Sequence, residues 1–202
     1  MPSKVKIAAR LLVVSLQLVA IPSFAAVGGQ IVDEAGKPVA GAFIVTTWRG
    51  TTPMPNPLES RITGCYSILA TQTASDGTFK LRTGSPEGGS GFVGREVSSF
   101  VYVPGYRFDL IQRTGRPTEI KRSKVTAAGR ASELVRVVDS TCITRRRVRE
   151  LVQIFKALHD EAVALGPAKD RDIANAVATL GAYHAAASAG VWPPEAKHWV
   201  AQ

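Results

Sequence analysis

Few side chains in this sequence have the type and spacing for chemistry: Cys65 and Cys142, the histidines His159, His184 and His198, and the arginines Arg145, Arg146, Arg147 and Arg149. A thiol becomes a nucleophile when a helix amino terminus and a nearby cation lower its pKa, and Cys142 stands close to Arg145 just before an apolar helical stripe. In an oxidising compartment the same residue pairs instead with Cys65. Such a disulfide would restrict the unfolded chain by about 4 kcal/mol in the loop-entropy picture. None of the histidines falls into a His-Glu-x-x-His or His-x-x-Glu pattern, which argues against a zinc peptidase. In His159-Asp160-Glu161 the first and third side chains point apart on a helix, so this triplet reads as a solvated face. No Gly-x-Ser-x-Gly elbow presents a serine, and the glycine run Gly88 to Gly94 leads into no helix that could bind phosphate. The sequence therefore points to no catalytic residue, no metal and no cofactor.

The amino terminus sets the compartment in which these residues work. Lys4, Lys6 and Arg10 precede an apolar run from Leu11 to Val19, and Pro22-Ser23-Phe24-Ala25-Ala26 follows. This is the layout of a secretory signal peptide over residues 1–25. The run is too short for a bilayer core that needs about twenty apolar residues. A periplasmic or secreted protein without a transmembrane helix is expected, starting at Ala26 or Val27. No cysteine near the cut offers a lipid attachment point.

Charge is distributed unevenly along the 202 residues, which carry 25 Lys and Arg against 16 Asp and Glu. Between residues 113 and 149, eleven basic residues face only Glu119, Glu133 and Asp139, while the rest of the mature chain is slightly acidic. Export and the lack of stacking aromatics in this segment argue against nucleic acid. Arg145, Arg146, Arg147 and Arg149 would suit anionic lipid headgroups or cell-surface polymers. A solvated face with no partner is the other reading.

Residues 26–112 carry strand-like runs separated by turn chemistry. Val27 to Val32 ends at Asp33-Glu34-Ala35-Gly36-Lys37-Pro38, and Val39 to Trp48 resumes with β-branched and aromatic residues. Pro53, Pro55 and Pro57 mark a long loop. Cys65 to Thr73 is followed by Ala74-Ser75-Asp76-Gly77-Thr78, which predicts a hairpin into Phe79-Lys80-Leu81-Arg82. Val97 to Val103 closes at Pro104-Gly105-Tyr106.

Gly29 to Ala42, Thr73 to Phe79 and Val103 to Tyr106 together resemble the carboxypeptidase regulatory-like domain. The resemblance implies a transthyretin-like, seven-stranded β-sandwich over roughly residues 27–110 that carries none of the peptidase's catalytic groups. Within it, Asp33 with Gly36 would make one hairpin turn, Gly41 would allow close sheet approach and Tyr106 would anchor a corner. Cys65-Tyr66 resembles a bacterial envelope subset of such domains.

The segment 113–142 reads as a basic connection and residues 143–202 as a helical extension. Asp139-Ser140-Thr141 offers a cap for a stripe of Val148, Leu151, Val152, Phe155, Leu158, Ala162 and Leu165. Gly166-Pro167 ends it, and Ala168 to Ala189 makes a second helix, the pair forming a hairpin whose stripe covers the sandwich. The expectation is a mainly β, immunoglobulin- or transthyretin-like sandwich with a carboxy-terminal α-hairpin, acting as a non-catalytic binding or structural module of the bacterial envelope. Its partner would be an envelope protein or polysaccharide. Two other readings are a carbohydrate-binding sandwich, with Trp48, Tyr66, Tyr102 and Tyr106 as the available rings, and a thiol enzyme using Cys142.

Overall fold

The structure, a computed structural model, describes residues 27–51, 63–81, 93–111, 116–140, 148–166 and 170–191. Residues 1–25, read above as a signal peptide, and Cys142, Arg145, Arg146, Arg147 and His198 lie outside these residues.

Seven strands and three helices are described. They are β1 (Val27–Val32), β2 (Phe43–Thr51), β3 (Thr63–Gln72), β4 (Thr78–Leu81), β5 (Val93–Tyr102), β6 (Asp109–Leu110), β7 (Thr118–Glu119), α1 (Ala127–Ser140), α2 (Val152–Ala164) and α3 (Arg171–Ala189). A 3-10 turn, Val148–Leu151, leads into α2. Helix outweighs strand among the described residues, so the chain is mixed α and β rather than mainly β.

The strands form two sheets, ordered β4-β1-β7 and β3-β2-β5-β6. This corrects the expected hairpin at Asp76-Gly77. β4 pairs with β1 and β3 pairs with β2, so the turn carries the chain from one sheet to the other. Asp76 still shapes that turn, accepting from the Thr78 amide at 2.9 Å and the Thr78 hydroxyl at 2.7 Å. Those two bonds hold its carboxyl below the usual range. Gly77 is required twice over, by a φ of +74° and because a Cβ would fall 2.6 Å from the Ile31 carbonyl oxygen. Gly41 has open space where its Cβ would lie, so its φ of +69°, not close sheet approach, explains it.

β2 shows why the two sheets and the helices form layers. Phe43 to Trp48 are all buried, because the strand is central in its sheet and covered on both faces. Alternation sends Ile44, with Val101 of β5, against Ile31, Phe79, Leu81 and Ile120 of the other sheet. Phe43, Val45, Ile68, Phe100 and Tyr102 point the other way, into a larger core with α1, α2 and α3. Burial of each such side chain is worth about 1.5–3 kcal/mol.

The stripe of Val148, Leu151, Phe155, Leu158 and Ala162, joined by Ile173, Ala176, Leu180 and Ala187 of α3, is buried against this sheet. The segment 113–142 is not a mere connection. It supplies β7, parallel to β1 through Ile31↔Thr118, and all of α1. Ala131, Leu134 and Val138 give α1 an apolar stripe, and Thr126 Oγ1 accepts from the Gly129 amide at 3.2 Å at its start. Asp139 and Ser140 fall in the last turn of α1, and the next helix opens through the 3-10 turn without a side-chain cap. The second helix of the pair begins at Arg171, not Ala168, where Asp170 caps it by accepting from the Asp172 and Ile173 amides. Among the described residues no helix is long and apolar enough to cross a membrane.

Candidate functional site

Two polar constellations sit on the helix side of the four-stranded sheet, at opposite ends of the β2–β5 ladder. At the Phe43↔Tyr102 end is a buried hub. Tyr102 donates from Oη to Glu161 Oε2 at 2.7 Å, with the Ala157 carbonyl oxygen 3.2 Å away. Arg130 of α1 reaches Glu161 from Nε at 2.8 Å and Nη2 at 3.1 Å, and Glu133 from Nη1 at 2.9 Å. The Gly105 amide donates to Glu161 Oε1 at 2.9 Å. Burial, then the Glu161 charge, pushes the Tyr102 hydroxyl far above the usual phenol range. Burial opposes the charge on Arg130, but its hydrogen bonds to Glu161 and Glu133 outweigh that and hold its pKa above the ordinary value. Four donors converge on one carboxylate, which leaves it no free lone pair for a substrate. The hub ties α1, α2 and the end of β5 together.

Toward the other end the same sheet face turns polar. Successive cross-strand pairs run Val45↔Phe100, Thr47↔Ser98 and Arg49↔Glu96. Thr47 and Ser98 share a hydrogen bond of 2.8 Å. The short strand β6 folds back along β5 through Phe100↔Leu110, so Phe108, just before it, packs on Phe100 with ring centroids 4.5 Å apart. A concavity of about 580 Å³ opens here, lined by Arg49, Glu96, Ser98, Phe100, Phe108, Asp109 and Leu110. Phe108 also walls a smaller one of about 320 Å³ with Arg107, Glu133 and Arg136. No hydrogen bond or ion pair among the described residues engages the Arg49, Glu96, Arg107 or Asp109 side chains. Leu110 is 65% exposed, the most exposed large apolar side chain described. An aromatic floor ringed by planar charged groups can bind a ligand.

The residues singled out from the sequence are placed elsewhere. Cys65 lies half-buried at the start of β3 against the larger core and is not a free thiol. Arg149 lies against the carboxy-terminal end of α3, where a Cβ on Gly190 would collide with its guanidinium, a favourable place for a cation beside a helix terminus. Arg130 is 4% exposed and withdrawn from the basic surface the composition suggests. Glu161 belongs to the hub and not to a solvated helix face. Of the rings considered for sugar, Trp48 and Tyr102 are buried in the core, and Tyr106 lies half-buried with the Arg122 guanidinium 5.0 Å from its centroid. His159 and His184 join no cluster of three or more metal-ligating side chains among the described residues.

No motif in the sequence marks the corner around Phe108. Its only signal is the odd order of Arg107-Phe108-Asp109-Leu110, a short run mixing charge and large apolar groups just after a strand-ending Pro-Gly. Compared with family models, curated proteins and solved structures, the chain matches none.

Proposed function

We propose that this protein is an exported, non-catalytic binding module of the bacterial cell envelope, and that the Phe108 corner is its binding site. The observation that carries the reading is the change of character along one sheet face. The helices cover its apolar end, while Ser98, Arg49 and Glu96 remain in the lining of a concavity with an aromatic floor. Pockets of this size with a few convergent polar groups are the usual place for ligands. The charged amino terminus followed by a short apolar run supports export. Gly29 to Ala42, Thr73 to Phe79 and Val103 to Tyr106 support a transthyretin-like sandwich of the carboxypeptidase regulatory-like type. A Cys65 to Cys142 disulfide belongs to the same reading, supported by Cys65 not being a free thiol in a chain with two cysteines. Arg145, Arg146, Arg147 and Arg149 would add weak, salt-sensitive attraction to anionic surfaces.

The test is retention. Mature protein immobilised through its carboxy terminus is incubated separately with purified envelope polysaccharide and with envelope protein. One of the two fractions is expected to be retained by wild type and released from an Arg49→Ala, Asp109→Ala double variant of unchanged melting temperature. Equal retention by both would place binding elsewhere, and a reactive thiol at Cys142 in the same preparation would favour the enzyme reading instead.

A further inference from the structure

We infer that the Phe108 corner takes a glycan, with one pyranose unit lying flat on the Phe108 ring and its hydroxyl groups meeting Glu96, Asp109 and Arg49. This deepens the binding-module reading and rests on it. The argument is one of elimination by chemistry. Arg49, Arg107 and Arg136 around the two concavities are offset by Glu96, Asp109 and Glu133, so the corner has little net field to draw a polyanion or a polycation. A lipid chain or an apolar peptide would strip water from four charged groups and give them no partner, at a steep cost in free energy.

A pyranose avoids both difficulties. Its axial hydrogens present an apolar face that packs on an aromatic ring, here backed by Phe100 at 4.5 Å and flanked by exposed Leu110. Its vicinal hydroxyls, each both donor and acceptor, match the paired oxygens of a carboxylate and the forked donors of a guanidinium. Those are the groups that no hydrogen bond or ion pair among the described residues engages, with Arg49 and Glu96 directly opposite each other on adjacent strands. The concavity of about 580 Å³ has room for one or two sugar rings, and its open outer side lets a longer chain run past.

Amide chemical shifts of the isotopically labelled mature chain, titrated with cellotetraose, chitotetraose and the peptide Ala-Glu-Lys-Ala, test this. Saturable shifts at Ser98, Phe108 and Leu110 are expected from at least one tetrasaccharide, with about millimolar affinity. Phe108→Ala should weaken them about tenfold through the lost ring, and Asp109→Ala by a similar factor while leaving the Phe100 packing intact. Shifts from the peptide alone at these amides would overturn the glycan and keep the binding site. Sugar shifts unaltered in both variants would overturn the placement. Silence toward all three probes would overturn the glycan and the binding reading of this corner together.

Discussion

Arg130 and Arg49 lie on the same side of one sheet and differ in what meets them. Arg130 is enclosed, with Glu161 and Glu133 on its donors and Tyr102 and Gly105 completing the acceptors of Glu161. Arg49 is half-buried, has Glu96 opposite in register, and engages no ion pair among the described residues. The same residue type is thus consumed by the fold at one end of the ladder and left available at the other. A buried charge is tolerable only when fully met, whereas a charge at the rim of a concavity stays hydrated until a ligand replaces the water. Removing one member should therefore damage stability in the hub and binding in the corner.

The largest effect is expected from Glu161→Ala. It strands Arg130 and the Tyr102 hydroxyl in the core, and urea unfolding should report a loss of about 3–5 kcal/mol. A loss below about 1 kcal/mol would mean the hub is solvated and erase the contrast with the corner. Tyr102→Phe removes one donor to that carboxylate and should cost about 1.5–3 kcal/mol at neutral pH. It also has a pH signature. The Tyr102 pKa is raised in the folded state, so its contribution is complete below the ordinary phenol value and declines as pH rises beyond it. Wild type should lose stability above about pH 10 more steeply than Tyr102→Phe, and parallel curves would count against the hub.

Ser67 sharpens the comparison from the other direction, since its Oγ is buried and has no hydrogen-bond partner among the described residues. Ser67→Ala should raise stability by about 1 kcal/mol in the same urea assay, the reverse of the hub variants. The smallest effect is expected at the corner itself. Arg49→Gln should shift stability by less than about 0.5 kcal/mol while reducing ligand affinity. A larger loss of stability would assign Arg49 to the fold after all.

The sequence made the core positions of the helices readable because their period is local: Val148, Leu151, Phe155, Leu158 and Ala162 stand at helical spacing and are buried. The same rule applies to Ala131, Leu134 and Val138, but the surrounding arginines and Gly129 masked α1. Turn residues were legible as turns without revealing what they join. Asp76 and Gly77 serve a hairpin and a sheet-to-sheet crossing equally well, and only the pairing of β4 with β1 distinguishes them. The hub was illegible for a stronger reason. Arg130, Glu161 and Tyr102 come from three separate elements, and charge counted along the chain cannot show which cation is enclosed by which acid. The corner shares that difficulty, because Arg49 and Phe108 meet only once β2, β5 and β6 lie side by side.

The parallel pairing of β1 with β7 carries a consequence for how the chain comes to be folded. Ile31 and Val32 find their second neighbours only at Thr118 and Glu119. Closing so long a stretch before any pairing reward makes such contacts late and slow. Until residue 119 is present, β1 has β4 on one side and an open edge on the other, ready to pair with whatever strand comes first. A product cut short before Thr118 would keep that edge for its lifetime, so early termination should yield aggregating fragments and not a small stable domain.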